Sequence, residues 1–549
     1  MPPATKKRRA RPQAATTASA PALSTTQRQL RLLYALALAA ICLTAAVALL
    51  YKAHTAGLQH DESVTWFDYA QKLENARYSY KSTNNHVLNS ICIHIAHVLF
   101  KSYEHFPRIP VIFTSLTFVA AIAYVVTRTI RNRLLQLATL IFVLAARGTF
   151  GYLYVARGYS YGFAALALTL ALAAYLNDHP IRPRHAWLPI LALSFFNFIA
   201  LGAMTTTLFL VLACNAVFVL WWTARIYRPA LAFFKRLALY APAIAALTAL
   251  AVLWLYWPII RNILGTGENP YVADIAASWH GWPSFLELLD RILVYYLIGI
   301  RQLWRWLALL IAALALAGAA LRIYRWRSAS PDKNPPQTPD SSYTTNALFI
   351  ILVLALYLIQ LFVFSVILAK SPGLERNHMF LQPLFIIAAA FLLEGLLPYP
   401  SRTPNRRTQA VTAALAIFLV LTALQDPPRI RHGRYEMSRP TLQKLKSIDP
   451  HRLWTLCFAP KIMTIRTGFS FYLTRDEYRF QFAPPAQTDV FILPPELANS
   501  GAPCLMKEYF LGEHDCVLQL NPNRLNLNSP ALQPHVSTWN PETDLPPRR

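Results

Sequence analysis

What most limits the fold of this chain is a repeated pattern of apolar runs, each about as long as a bilayer is thick, with short basic clusters between them. The runs 32–50, 237–254, 348–368 and 380–397 approach the length needed to cross a hydrocarbon core of about 30 Å. Between such runs lie Lys6 to Arg11, Arg128 to Arg133, Arg182 and Arg184, Arg225 to Arg236, Arg322 to Arg327, and Arg402 to Arg407. Gathered in one groove, a net charge of +26 would suggest nucleic acid. Dispersed as it is, the charge follows positive-inside spacing, and nucleic acid drops out as a partner.

With every basic cluster in the cytoplasm, the chain reads as an all-α polytopic membrane protein of about eleven transmembrane helices. They fall near 32–51, 108–127, 134–153, 158–176, 187–202, 205–222, 237–257, 302–321, 345–368, 379–398 and 409–425. Residues 1–31 form a disordered basic cytoplasmic tail and 32–425 the membrane module. Residues 52–107 are a first external loop, and 328–342, rich in Pro, Ser and Asp, a cytoplasmic linker.

That loop carries two interfacial helices, since the apolar stretch from His86 to Phe100 is too short to span. The other helix runs from Glu62 to Ala76, with Val64, Phe67, Tyr69 and Leu73 facing the membrane. After Asp426 the hydropathy falls, and strand-like runs at Trp454 to Phe458, Phe469 to Leu473 and Val490 to Leu493 predict a small external α/β domain over 426–549. Cys504 and Cys516 lie in this domain, in reach of an oxidising periplasm.

Chemistry concentrates after the first span, in Gln59-His60-Asp61-Glu62-Ser63. A hydroxyl attacking a sugar's anomeric carbon needs a carboxylate to take its proton, and a lipid-borne donor holds that carbon near the interface. The same pair also suits a helix start, with Asp61 as cap and Glu62 complementing the dipole. Arg157 and Arg376 stand at external span ends, where a guanidinium can grip a lipid phosphate bidentately or simply reach the headgroups. Lys370 and Tyr159 join them as donor-phosphate candidates. His60, Asn85, His86, Glu268 and His378 are candidates for lining the acceptor side. No cofactor is required by these residues; a divalent metal stays open, with His86 and Glu62 as its candidates.

Four motifs together resemble the GT-C superfamily of membrane glycosyltransferases, in the bacterial branch related to protein mannosyltransferases and lipid A aminoarabinose transferases. They are His60-Asp61-Glu62; Asn84-Asn85-His86 followed by Phe106-Pro107-Arg108-Ile109-Pro110; Ala156-Arg157-Gly158-Tyr159; and Glu375-Arg376-Asn377-His378 before Gln382-Pro383. The resemblance spans roughly residues 30–400. It implies inverting transfer from a polyprenyl-phosphate sugar to a glycolipid, glycan or protein hydroxyl at the periplasmic face of the inner membrane. On this carry-over Asp61 is the base and Glu62 its supporting neighbour, or a ligand for acceptor or metal. Asn377-His378 departs from the family's Arg-Tyr pairing. A transporter or flippase of lipid-linked sugars, and an O-antigen ligase or polymerase, are the competing readings. Convergence of Asp61 with Arg157 and Arg376 separates transferase from transporter, which places its ionisable groups near mid-membrane.

Overall fold

The computed structural model describes residues 25–78, 86–101, 103–179, 185–226, 230–266, 281–292, 310–311, 313–321, 323–324, 340–368, 375–397, 406–424, 438–458, 469, 472, 478–483, 485–493, 507–509, 517–521 and 524–525. Among these, six helices are long and apolar enough to cross a membrane: Thr25–Thr55, Phe106–Thr129, Tyr159–Asp178, Thr205–Arg225, Leu231–Pro258 and Ser342–Ile367.

The chain opens with α1 (Thr25–Thr55), then α2 (His60–Val64), a π-helical stretch (Thr65–Ala70), α3 (Leu73–Tyr78) and α4 (Val87–Leu99). The bundle continues through α5 (Ile109–Thr129), α6 (Arg133–Ala145), α7 (Arg147–Leu153), α8 (Tyr159–Asp178), α9 (Trp187–Ala203), α10 (Leu208–Ile226) and α11 (Ala230–Thr266). After α12 (Trp282–Asp290) come α13 (Asp340–Phe362), α14 (Leu381–Glu394) and α15 (Arg406–Leu424).

Burial sorts these helices into centre and rim. α8 is apolar all round and buried along most of its length, the pattern of a central helix. Its Phe163 packs edge-on against Phe118 of α5 and Phe380 just before α14, at centroid distances of 5.4 and 4.9 Å. α1 instead leaves Leu32, Leu36, Leu43 and Val47 exposed, a surface that only lipid or another apolar partner can cover.

Polar contacts mark two ends of the bundle. At one, Arg128 pairs with Asp178 at 3.2 Å, Asn177 donates to the Ser342 carbonyl at 3.0 Å, and Glu394 accepts from the Arg131 and Asn132 amides at 2.9 and 2.6 Å. The starts of α6 and α13 therefore meet the ends of α5, α8 and α14. At the other end, Arg108 reaches the last carbonyls of α1, and Tyr256 of α11 donates to Gly202 of α9 at 3.0 Å. α11 thus finishes at the end opposite to where α13 begins, with residues 267–339 between them in the chain. The helical residues 313–321 lie in that interval; Gly318 sits so close to the Leu392 carbonyl that an added Cβ would come within 1.9 Å of it. Beside the six long spans, the described residues hold five shorter apolar helices, Val87–Leu99, Arg133–Ala145, Trp187–Ala203, Leu381–Glu394 and Gln409–Thr422.

Two stretches differ from the sequence reading and a third agrees with it. The span at 134–153 is broken at Ala146 into α6 and α7, and inside a bundle such a break is tolerated because neighbours take up the freed backbone groups. α4 is 13 residues long, about 20 Å, and remains too short to span. The helix predicted from Glu62 to Ala76 is not uniform: the wider π turn at 65–70 shifts its phase, so Tyr69 is fully buried instead of facing lipid, while Leu73 stays exposed.

Beyond the bundle, α16 (Ser438–Ile448) packs on a five-stranded sheet. The strands are β1 (Trp454–Phe458), β2 (Phe480–Phe482), β3 (Val490–Leu493), β4 (Lys507–Tyr509) and β5 (Val517–Leu520), in the order β2-β1-β3-β5-β4. β1 runs parallel to both neighbours, and β5 antiparallel to both of its own. The stretch 469–473, predicted as a strand, is helical at its described residues Phe469 and Tyr472, whose aromatic rings fill the space under the sheet. Cys504, Cys516, the tail through residue 24 and the linker at 325–339 lie outside the described residues.

Candidate active site

The site begins where α1 ends. Five residues after Thr55, α2 starts with His60, Asp61 and Glu62; the Gln59 amide donates to Glu62 Oε2 at 2.8 Å, closing the first turn. Glu62 then turns inward. Its Oε1 accepts from Arg108 Nε at 2.9 Å and from the Ala156 amide at 2.6 Å, and its Oε2 accepts from Arg108 Nη2 at 2.7 Å. Both partners of this ion pair have fully buried side chains.

Arg108 spends its remaining donors on backbone: Nη1 on the Ala53 and Ala56 carbonyls at 3.1 and 2.8 Å, and Nη2 on Gly57 at 2.8 Å. All five guanidinium hydrogens are thereby matched, the condition under which a buried arginine is tolerated. One side chain ties the end of α1, the Asp61 loop and the start of α5 together.

Because Glu62 holds the Ala156 amide, the neighbouring residues Asp61 and Arg157 are brought face to face. Arg157 Nη1 meets Asp61 Oδ2 at 2.5 Å. Arg157 is nearly buried, with 5% of its side chain exposed, whereas Asp61 keeps 24%, so this pair opens to the outside. Tyr159 lies under the Arg157 guanidinium at 5.3 Å from the ring centre, and His86 packs 6.1 Å from the same ring. Asn89 donates to the Ala156 carbonyl at 3.1 Å, fixing the loop from the α4 side.

Gly158 admits this arrangement. A Cβ there would stand 2.2 Å from the Ala203 carbonyl and 3.3 Å from His86 Nδ1, so the Arg157 loop can approach α9 only without a side chain at this position. Past Ala203, the 3₁₀ turn Thr205–Thr207 packs against the 3₁₀ turn Glu375–His378. The backbone bearing Arg376 is thus next door but one to Gly158; its side chain, those of Glu375 and His60, and all of Asn85, Glu268 and Lys370 lie outside the described residues.

His378 is fully buried, its Nδ1 3.1 Å from Tyr357 Oη, which places it inside the packing and not on an acceptor-lining surface. His94 Nδ1 donates to the Ala70 carbonyl at 2.9 Å, and His97 packs at a tilt between Trp66 and Phe106. Among the described residues no three His, Cys, Asp or Glu side chains gather as metal ligands. Glu62, whose oxygens each accept two donors beside a guanidinium, does not fit as a ligand for a divalent cation.

Sequence reasoning missed Arg108 as the partner of Glu62. Its signal was an arginine at the apolar start of a span, where burial calls for a local anion.

No family model matches the chain, and no curated protein matches it. Among solved structures it is similar to ArnT from Cupriavidus metallidurans in the apo state, at 12% identity and a TM-score of 0.47, over 90% of this chain and 98% of that one. At that distance the function has to be argued from this chain's own residues.

Proposed function

We propose that the chain is a membrane glycosyltransferase of the GT-C kind, moving a sugar from a polyprenyl-phosphate carrier to an acceptor hydroxyl at the periplasmic face of the inner membrane. The observation that carries this reading is the half-open Asp61–Arg157 pair, set on a fully buried Glu62–Arg108 pair at one end of the bundle. Charges gathered at one end favour transfer over transport, which needs them near mid-membrane.

The pair suits an exchange of partners. A donor phosphate is a better bidentate match for Arg157 than a single carboxylate oxygen, so its arrival releases Asp61. The freed carboxylate takes the proton of the acceptor hydroxyl as that oxygen bonds to the anomeric carbon. The bond from that carbon to the phosphate oxygen breaks, the configuration inverts, and the carrier departs as a polyprenyl phosphate with one more negative charge. Arg157, already buried against Tyr159, stabilises that added charge in a site partly shielded from water. Arg376, in the motif Glu375-Arg376-Asn377-His378, is assigned as the second cation for the same phosphate. Glu62 and Arg108 act by position, since neither has a donor or acceptor left to offer.

The test is transfer from a synthetic polyprenyl-phosphate sugar by purified protein in lipid, with the sugar and acceptor chosen by mass spectrometry of glycans, glycolipids and glycoproteins from a deletion strain. Asp61→Asn, nearly isosteric but unable to take the proton, should lower turnover by ~10² to 10⁴. Wild-type turnover in that variant would leave Asp61 as a helix cap and remove the proposed base.

A further inference from the structure

We propose that the carboxy-terminal sheet domain positions the Asp61 loop, with Arg439, Tyr472 and Glu104 as its positioning residues; this rests on the assignment of Asp61 as the base. The mechanism above uses none of the three.

Their contacts fall on the backbone that leads to Asp61. Arg439 of α16 donates through Nη1 to the His54 carbonyl at 2.6 Å and through Nε to Glu104 Oε1 at 3.1 Å. Tyr478 donates to the same Glu104 oxygen at 3.3 Å. The Leu58 amide, three residues ahead of Asp61, donates to Tyr472 Oη at 3.4 Å. Burial pushes the Tyr472 phenol far above its ordinary range, so it meets that amide as a neutral acceptor.

The dock is well shielded. The Arg439 and Glu104 side chains are only 12% and 10% exposed, and ion pairs gain most where water is scarce. Leu58, Trp66 and Phe106 from the first loop share one apolar cluster with Leu442, Leu445, Phe469 and Tyr472 from the sheet domain. Residues 53–58 are therefore held from two sides: by Arg108 through the Ala53, Ala56 and Gly57 carbonyls, and by the sheet domain through His54 and Leu58. A base that must meet a hydroxyl within hydrogen-bond reach gains from a loop fixed this way, because a displacement of about 1 Å can cost ~10² in rate.

The experiment uses the full chain in lipid nanodiscs and compares Glu104→Arg, Arg439→Glu, the two combined, and Tyr472→Phe. Arg452→Gln is the control: Arg452 pairs with Asp489 inside the sheet domain, at 3.1 Å, away from the dock. Each single charge reversal should lower kcat about tenfold or more with little change in the donor KM, the combination, which re-forms the ion pair but not the donation to the His54 carbonyl, should restore part of it, and the control should leave kcat unchanged. Hydrogen exchange of amides 54–64 should quicken in the singles and recover in part in the combined variant. Tyr472→Phe, which keeps the ring, should quicken exchange at the Leu58 amide. Unchanged exchange in the singles and in Tyr472→Phe overturns the proposal, as does a kcat loss in Arg452→Gln equal to theirs. Absence of transfer in the wild type with every donor tried counts against the glycosyltransferase reading instead, and leaves the exchange readout to decide the dock.

Discussion

Adjacent carboxylates with opposite duties should respond oppositely to the same change, and Glu62→Gln against Asp61→Asn makes that measurable. Glu62 accepts four hydrogen bonds: Arg108 Nε and the Ala156 amide at Oε1, Arg108 Nη2 and the Gln59 amide at Oε2. A glutamine in either orientation keeps one oxygen and turns an NH₂ toward the other two donors. Two buried donors lose their acceptor, and the Arg108 guanidinium is left without its counter-charge in a place with no exposed surface. Breaking a buried pair from one side costs about 3–5 kcal/mol. A loss of that size should lower the thermal unfolding midpoint by several degrees in matched detergent. Replacing both partners, as Glu62→Met with Arg108→Met, removes the stranded charge but also takes a partner from the Gln59 and Ala156 amides and from the Ala53, Ala56 and Gly57 carbonyls, so the midpoint and transfer should both stay low. Asp61→Asn should instead abolish transfer with a smaller midpoint shift. The assay is unfolding monitored by fluorescence alongside single-turnover transfer. A Glu62→Gln protein that unfolds like wild type yet cannot transfer would refute the reasoning, since Glu62 would then act on substrate.

Three further outcomes follow from the same geometry. Gly158→Ala sets a Cβ 2.2 Å from the Ala203 carbonyl, so the Arg157 loop must retreat by about 1 Å, and transfer should fall by ~10² with the protein still folded; an unimpaired variant means that the close approach is not needed. Arg376→Lys should lose much activity although it keeps the charge, because an ammonium cannot fork onto a phosphate; equal rates and equal donor affinity for both would mean that Arg376 only reaches the headgroups. Reporter fusions should place residue 24 and the end of the chain on opposite faces of the membrane if the eleven crossings read from the sequence separate them, and a same-side result would remove one span.

How much of this the sequence disclosed depends on whether the information was local. Spans were legible because twenty-odd apolar residues between basic clusters declare themselves without reference to the rest of the chain. Asp61 and Arg157 were each legible as span-end charges, and the structure brings them to 2.5 Å. Tyr69 was misplaced because it lies inside the π turn Thr65–Ala70, whose wider spacing turns it inward, and no local pattern there announces it. Glu62 looked like a second working carboxylate because its partner stands 46 residues away and its third contact 94 away.

The division of labour between Asp61 and Glu62 comes from this long-range wiring. One carboxylate is spent wholly on Arg108, Gln59 and Ala156, and that expenditure fixes where the other points. Had Glu62 been free, Asp61 would sit on a five-residue helix with little to hold it, and Arg157 would follow a loop fastened to α4 through Asn89 but not to the Asp61 turn. Two neighbouring acids at a membrane surface are therefore better read as anchor and base than as two bases. The one to test first for chemistry is the one that remains partly exposed.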